Sequence, residues 1–346
     1  MSADILAIET SCDETAAAVV RDGRDCLGAA VSSQIDLHAR FGGVVPEIAS
    51  RSHQEVVNLI IDEALAQANL LLSEVDAVAV TRGPGLPGAL IVGVAAAKAL
   101  AYGAGKPLIG INHLEGHIFA NFFTFPDLAP PFVALVVSGG HTLLAYIATP
   151  EAYEVLGQTL DDAAGEAFDK VAGYLELGYP GGPILEKLAA EGDPGAINFP
   201  RAMIKTADYD FSLSGLKTAV LYYVTKKQAA GEDLNLPDLA AGFQAAVIDV
   251  QVYKTVKAAE AKGAKTVVLA GGVAANQALK DRLGAEVAAR GWRLFAPPLG
   301  LCTDNAIMIA AAAWPKWLRR DFLALDAEPD PNMKLGRYRA GLNCRR

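Results

Sequence analysis

Two stretches, LAIETSCDETAAAVV (6–20) and VALVVSGGHTLLAYI (133–147), align without gaps and indicate the fold. Each consists of an apolar run, a short polar turn and a second apolar run, which is the pattern of a β-hairpin. Later in each half, at 75–100 and 265–283, a predicted strand and helix are joined by a glycine-rich turn, TRGPGLPG or AGGVAAN. The repeated order predicts a duplicated α/β fold with a cleft between its halves, the usual place for a ligand. Only four of fifteen hairpin positions are identical, so chance similarity is the alternative.

The bulk composition describes a globular protein without a generic affinity for nucleic acid. The chain has 346 residues, enough for two domains, and it is 52% hydrophobic and 20% charged. Its net charge of −9 at pH 7 argues against unspecific coating of nucleic acid. A local basic patch or a partner protein can still hold an RNA.

Three features predict a cytoplasmic protein without a membrane segment. The first residues, MSADILAIET, carry acids and no basic region before an apolar core, which argues against a signal peptide. The longest apolar stretch (88–105) is interrupted by Lys98, which favours a buried helix over a membrane span. The four cysteines show no C-x-x-C spacing, which fits a reducing compartment and no disulfide framework.

The segment INHLEGHIFA (111–120) has the spacing of a metal site. On a helix His113 and His117 lie about 40° apart around the axis, so both rings can reach one cation. Asn112 and Glu115 have the pattern of an N-cap with its capping-box partner. The glutamate does not occupy the place of the general base in H-E-x-x-H proteases, which argues against a protease. Two histidines held by ordinary hydrogen bonds remain the alternative, and a third ligand must come from elsewhere.

Three turns of the chain are predicted to contact a bound nucleotide or another part of the substrate. The glycines of SGGHT (138–142) let a backbone approach a ligand, and consecutive N–H groups there can hold a phosphate. The equivalent turn SCDET (11–15) contains Asp13 and a second acid, which can orient a metal, a water or an amine. AGGVAAN (270–276) lies at a strand-to-helix turn that suits a nucleotide. An ordinary tight turn and a plain loop are the alternatives for SGGHT and AGGVAAN.

Two further acids have both a structural and a functional interpretation. Asp304 precedes an apolar helix, where it serves as an N-cap or, with the two histidines, as an oxygen ligand. Asp169 lies on a predicted amphipathic helix over 161–177, either on a solvated face or facing the cleft. His38 and His53 are interpreted as structural.

The motifs of the chain resemble one family, the tRNA adenosine threonylcarbamoyltransferases or TsaD proteins, once labelled O-sialoglycoprotein endopeptidases. The similar segments occur in the family's order and span nearly the whole chain: ETSCDETAAAVV, HARFGGVVPEIASRSH, TRGPGLPGALIVG, INHLEGH, VVSGGHT, DDAAGEAFDKVAGYLELGYPGGP, FSLSGLKTA, GGVAAN and CTDNAIMIA.

The resemblance implies a fold and a set of site residues. The fold is actin-like or Hsp70-like, with duplicated RNase H-like lobes over 1–130 and 131–325 and a tail over 326–346 packed on the surface. One divalent metal, Fe²⁺ or alternatively Zn²⁺, is implied at His113, His117 and Asp304. The implied substrate contacts are Val136, Val137, Ser138, Gly139, Gly140, Asp169, Gly182 and Asn276.

The resemblance also implies a reaction and partners. The threonylcarbamoyl group of L-threonylcarbamoyl-adenylate is transferred to N6 of the adenine 3′ to the anticodon, in tRNAs that read ANN codons, and AMP is released. Our own assignment adds Asp13 as the group that accepts a proton from the incoming amine or orients it. The implied partners are tRNA, a paralogous dimerisation partner (TsaB), a P-loop ATPase (TsaE) and an upstream adenylate-forming synthase.

Three other classes of protein remain for comparison. A zinc metallopeptidase lacks a base beside the histidines here. A small-molecule kinase of the same fold needs magnesium at paired acids, whereas a His/His/Asp set suits zinc or iron. A non-catalytic scaffold that only docks tRNA-modifying partners is expected to lack the metal triad.

Overall fold

Two five-stranded sheets with the same strand order form the framework of the computed structural model, which describes residues 2–150 and 152–336. The first sheet contains β1 (Asp4–Glu9), β2 (Glu14–Arg21), β3 (Asp25–Ser33), β4 (Ala77–Gly83) and β5 (Leu108–Asn112). The second contains β6 (Phe132–Val137), β7 (Thr142–Thr149), β8 (Ala152–Gln158), β9 (Thr266–Ala270) and β10 (Arg293–Phe295). The spatial orders β3-β2-β1-β4-β5 and β8-β7-β6-β9-β10 correspond strand by strand, and the predicted duplication is confirmed.

The two quoted stretches form the central hairpin of each sheet. In the first hairpin Glu9 pairs with Ala16, and in the second Val137 pairs with Thr142, both antiparallel. β4 runs parallel to β1 and β9 runs parallel to β6. Because parallel strands end at the same edge, each hairpin turn lies beside the glycine-rich turn that follows β4 or β9. Ligands of α/β sheets bind at this edge.

Helices cover both outer faces of the sheets and fill the space between them. They are α1 (Ile35–Ala39), α2 (Pro46–Ala68), α3 (Pro87–Ala104), α4 (His113–Thr124), α5 (Ala164–Tyr174), α6 (Gly181–Ala189), α7 (Ser214–Ala229), α8 (Leu236–Lys262), α9 (Gln277–Ala289), α10 (Leu299–Cys302) and α11 (Ala306–Arg319). α2 and α3 pack on the outer face of the first sheet, and α5 to α9 pack around the second. α4 and α11 lie between the sheets and pack against each other.

The central layer joins the two halves through one apolar core. Ile5 of β1, Phe132 of β6, Ile118 of α4 and Ala310 of α11 are all fully buried members of this cluster. Burial of so many aliphatic side chains from both sheets stabilises their mutual arrangement. α11 belongs to the second half of the chain but packs on β1, β2 and β5 of the first sheet. The lobe boundary at residue 130 lies in the connection between α4 and β6 and stays a prediction.

α3 is only half buried, which corrects the expectation of a buried helix for 88–105. By length and composition it is apolar enough to cross a membrane. Its inner face packs on the sheet through Ala89, Leu90, Val94 and Ala97, each at most 2% exposed. Its outer face leaves Ile91 56% and Tyr102 78% exposed. The helix is therefore a one-sided layer of a folded domain with an apolar outer surface.

The described part of the predicted tail crosses the turn after β4. The N–H of Asp330 donates to the carbonyl of Arg82 at 2.8 Å, and the N–H of Gly85 donates to the carbonyl of Pro331 at 3.2 Å. Leu335 is 7% exposed and joins the central core. The segment 326–336 thus contacts the turn after β4 and the central core. Residues 337–346 lie outside the described residues, and the surface tail over 326–346 stays a prediction.

Candidate functional site

α4 begins at the first of the two histidines because Asn112 caps it. The Asn112 side chain accepts hydrogen bonds from the N–H groups of Leu114 at 2.9 Å and Glu115 at 3.3 Å, as predicted. His113 and His117 follow on one face, with ring centroids 4.6 Å apart.

Glu115 does not close the predicted capping box. Its carboxylate accepts a hydrogen bond from the Tyr153 hydroxyl at 2.9 Å and lies 3.4 Å from Lys316 Nζ. Both partners come from elements packed against α4, so tertiary contacts replace the local cap.

Asp304 approaches the two histidines from the loop before α11. Its Oδ1 lies 3.2 Å from His117 Nε2 and 3.4 Å from His113 Nε2. Asn305, not Asp304, caps α11, since its side chain accepts from the N–H of Met308 at 2.9 Å. The structural interpretation of Asp304 as an N-cap is therefore wrong, and its carboxylate is available for another role.

The three side chains fit a metal ion. One possible ligand atom from each of His113, His117 and Asp304 lies within 4.8 Å of the others. His117 is fully buried, its Nε2 lies 3.2 Å from Asp304 Oδ1, and its Nδ1 has no hydrogen-bond partner among the described residues. A buried polar group without a partner is costly unless something else satisfies it. Two imidazoles and one carboxylate suit iron or zinc, so the donor set fits the group that the resemblance implies.

Burial and neighbouring charges act in opposite directions on the pKa values of these three side chains. Burial lowers the pKa of His113, but Asp304 and Glu9 outweigh burial and raise that pKa to about 9. Burial raises the pKa of Asp304, but His113 and His117 hold it well below its usual range. Burial also lowers the pKa of His117. These shifts favour an ionised Asp304 and a protonated His113, so a cation that binds the His113 ring has to displace a proton.

A cavity of about 430 Å³ opens beside these side chains at the carboxyl edges of both sheets. Predicted residues that line it are Asp13, His113, Ser138, Gly139, Gly140 and Asp304. Leu86, Tyr179 and Gly272, which the sequence analysis quoted only as parts of motifs, line the cavity as well. Both hairpin turns thus face the metal triad across one cleft, and the volume suits a small organic ligand.

The first turn is acidic and buried. Asp13 is 8% exposed. Burial and the neighbouring Asp304 and Asp13 raise the pKa of Glu14 to about 10. His53 supports this turn from behind, with one ring nitrogen 2.7 Å from Thr15 Oγ1 and the other 3.0 Å from the Cys12 carbonyl oxygen. This agrees with the structural interpretation of His53.

The second turn is open. Gly139 and Gly140 are exposed, and a Cβ added at either position meets no atom within 4 Å. Val136 and Val137 precede them as fully buried residues of β6, so only their backbone lies near the turn. Gly271 closes the neighbouring loop with a φ of +89°, and a Cβ there would lie 2.4 Å from the Val137 carbonyl oxygen.

The remaining predicted contacts do not line this cavity. Asp169 Oδ1 accepts a hydrogen bond from the N–H of Gly181 at 2.7 Å and so fixes the loop that carries Gly182. Asn276 is 7% exposed and caps α9, and its amide also donates to Gln244 Oε1 at 2.8 Å. For these three residues, substrate contact stays a prediction.

Sequence reasoning missed Glu9, which lies behind the site. Its Oε2 is 3.1 Å from His113 Nδ1, and it is fully buried. The available signal was a single glutamate at the end of the otherwise mostly apolar strand DILAIE. Charged residues are rarely buried without a partner, so this one pointed to a polar partner nearby.

Comparison with known sequences identifies close relatives. The sequence model of the TsaD family, described as tRNA N6-adenosine threonylcarbamoyltransferase, matches residues 25–311. A Symbiobacterium thermophilum protein is 58% identical over 335 residues, which cover 96% of this chain and 97% of that protein. A Clostridium botulinum (strain 657) protein is 53% identical over 335 residues, which cover 97% of this chain and 98% of that protein. Both relatives carry the name tRNA N6-adenosine threonylcarbamoyltransferase.

Comparison with solved structures concerns the fold alone. HypF from T. kodakarensis matches with a TM-score of 0.63 at 15% identity, over 92% of this chain and 48% of HypF. Component A of the (R)-2-hydroxyglutaryl-CoA dehydratase of Acidaminococcus fermentans matches with a TM-score of 0.54 at 16% identity. The match covers 91% of this chain and 98% of component A. Both have the actin-like ATPase fold, and the predicted fold class is confirmed.

Proposed function

Because this chain belongs to the TsaD family of tRNA N6-adenosine threonylcarbamoyltransferases, we propose that the cleft between its sheets is where the transfer takes place. The chain is a transferase that modifies N6 of adenosine in tRNA with a threonylcarbamoyl group. The observation that carries the proposed location is the convergence of His113, His117 and Asp304 with both hairpin turns on one cavity.

The peptidase and kinase alternatives find no support. Glu115, the only glutamate between the two histidines, is engaged by Tyr153 and Lys316, so it is not placed to activate water at the triad. The curated relatives at 53% and 58% identity are named as transferases.

The donor in this proposal is L-threonylcarbamoyl-adenylate. The open backbone at Gly139 and Gly140 offers N–H groups to its phosphate, since no side chain blocks the approach. Tyr179 and Gly272 line the same cavity and leave room for the rest of the ligand. Asp169, Gly182 and Asn276 are proposed to contact or shape the adenosine end. The acceptor is proposed to be the adenosine 3′ to the anticodon.

His113, His117 and Asp304 would hold one divalent metal, proposed to be Fe²⁺, with Zn²⁺ as the alternative. When bound, it supplies Lewis-acid stabilisation of charge that develops on the carbonyl and the leaving phosphate. In the transfer, the N6 amine forms a bond to the carbamoyl carbon, the bond from that carbon to the phosphate oxygen breaks, and AMP leaves. Asp13, a lining residue opposite the second turn, is proposed to orient the amine and to accept its proton.

Partners are proposed from the family and from one surface of this chain. The outer face of α3 exposes Ile91 and Tyr102, and Ala95 and Ala99 lie between them, so it offers an apolar helix surface to a paralogous partner such as TsaB. The net charge of −9 favours help in holding tRNA. TsaE and an adenylate-forming synthase complete the proposed set. A cytoplasmic location is proposed because the substrate is tRNA.

Single-turnover transfer with purified protein, proposed partners, tRNA transcript and the adenylate tests the assignment. Modified adenosine detected by mass spectrometry, and its loss in His117→Ala with α-helix content unchanged, is the expected result. Normal transfer by a metal-free His117→Ala protein would contradict the proposed centre.

A further inference from the structure

Glu9 is the most completely buried carboxylate near the metal triad, and each of its oxygens has a partner. Oε1 accepts a hydrogen bond from the N–H of Ser11 at 2.5 Å. Oε2 accepts from the Thr81 hydroxyl at 2.5 Å and lies 3.1 Å from His113 Nδ1. Glu9 ends β1, Thr81 lies in β4 and His113 begins α4, so three elements meet at one carboxylate. The chain therefore orders the side chain of Glu9 before any ligand binds.

This arrangement decides which nitrogen of His113 faces the cleft. A carboxylate accepts hydrogen bonds, so it favours the proton on Nδ1. Ser11 Oγ lies 3.0 Å from the same nitrogen and supports the same orientation. Nε2 is then left toward Asp304, 3.4 Å away, which is the direction of the proposed metal. A carboxylate behind a metal-bound histidine fixes the ring and raises the basicity of the ligand nitrogen.

The two histidines differ in this respect. His113 has Glu9 and Ser11 behind its ring, whereas His117 Nδ1 has no hydrogen-bond partner among the described residues. His117 is held by packing, with no exposed surface. The geometry makes His113 the ligand whose direction is set by hydrogen bonds, and Glu9 the residue that sets it.

We propose that Glu9 is a positioning residue of the metal centre, held in turn by Thr81. It orients His113 Nε2 toward the cation and strengthens that nitrogen as a ligand. The proposal rests on the proposed metal centre and deepens it. It also gives Thr81, the first residue of TRGPGLPG, a role: its hydroxyl donates to Glu9 Oε2, the same oxygen that lies beside His113 Nδ1.

Zinc affinity of the full-length metal-free protein tests the proposal, measured by competition with a chromophoric chelator. Glu9→Gln keeps the size of the side chain but removes its charge and one acceptor, and we expect about 10- to 100-fold weaker Zn²⁺ binding. Thr81→Val leaves the carboxylate in place but removes its hydroxyl donor, and we expect a smaller loss, about three- to tenfold. The Co²⁺ absorption spectrum should change in Glu9→Gln, because the direction of one ligand changes.

Glu115→Gln is the matched control. Glu115 is also a buried carboxylate, lies on α4 between the two histidines and points to Tyr153 instead of the metal triad. Zinc affinity and the Co²⁺ spectrum of this variant should equal those of the wild type. An equal loss of affinity in Glu115→Gln and Glu9→Gln would show that α4 had merely loosened, and would overturn the proposal.

The outcomes also separate this proposal from the metal centre itself. If wild-type protein binds neither Zn²⁺ nor Co²⁺, the proposed centre fails. If wild type binds and Glu9→Gln binds equally well with an unchanged spectrum, the role of Glu9 alone is overturned. If Glu9→Gln does not fold, Thr81→Val decides, and wild-type affinity in that variant overturns the proposal.

Discussion

The two hairpin turns occupy equivalent places in the duplicated halves, yet they differ in burial and charge. The first, between β1 and β2, buries Ser11 and Asp13, which are 2% and 8% exposed. The second, between β6 and β7, exposes Gly139 and Gly140. The two halves thus present the same scaffold with different turn residues. A turn with a carboxylate can accept a proton or bind an amine, whereas an open turn with free backbone N–H groups can bind a phosphate.

The largest expected effect comes from the centre between the two turns. His113→Ala or Asp304→Ala should remove the proposed metal and slow transfer by at least about 10³-fold, since each residue is proposed to supply one of three ligand atoms. Metal content by mass spectrometry and single-turnover transfer measure the two effects. Unchanged circular dichroism is the control for folding. Full transfer without metal would place the chemistry outside this centre.

Asp13→Asn tests the first turn. We expect transfer to slow by about 10²- to 10⁴-fold, because the amide cannot accept the amine proton, while adenylate and metal still bind. Single-turnover kinetics measures the rate of transfer, and titrations measure the binding of adenylate and metal. A normal rate in Asp13→Asn would remove Asp13 from the mechanism.

Gly140→Ala is the matched change in the second turn, where an added Cβ meets no protein atom within 4 Å. It should weaken adenylate binding and leave the rate at saturation unchanged.

The pH dependence of metal binding tests whether both halves act on one histidine. Asp304 from the second half and Glu9 from the first raise the pKa of His113 to about 9, so the metal-free protein carries that proton at pH 7. A metal needs the neutral imidazole, so Zn²⁺ affinity should rise by up to about tenfold per pH unit from pH 7 to 9 and then level off. Calorimetry in buffers of different ionisation enthalpy measures proton release. No release at pH 7 would contradict the coupling.

The smallest expected effect is at Asn276. Asn276→Ala should weaken adenylate binding by about 1–3 kcal/mol if the amide contacts the ligand, and leave metal content unchanged. Since its side chain also caps α9, the free energy of unfolding should fall by about 0.5–2 kcal/mol in the same variant. Titration measures the affinity for the adenylate, and chemical denaturation measures the free energy of unfolding. A loss of stability without a loss of affinity would assign Asn276 to structure alone.

Local patterns predicted the features that depend on neighbours in the chain. The hairpins, the Asn112 cap and the side-by-side histidines of α4 depend on alternation and helical spacing, and each is present. The family resemblance supplied Asp304 as third ligand, which spacing alone left undecided between cap and ligand. Glu115 is the counterexample: its local pattern predicts a capping box, but Tyr153 from β8 takes its carboxylate.

The sequence by itself therefore determined the duplicated hairpins and strand-to-helix units, the helix that carries His113 and His117, and the family. Only the tertiary structure placed the Asp304 carboxylate within 3.4 Å of both histidine rings and Glu9 behind the ring of His113. The reason is physical: α4 and α11 are packed between two sheets, and their contacts join residues far apart in the chain. Such contacts follow from burial of a shared core. The hydrophobic periodicity of a single segment does not indicate which distant segment packs against it.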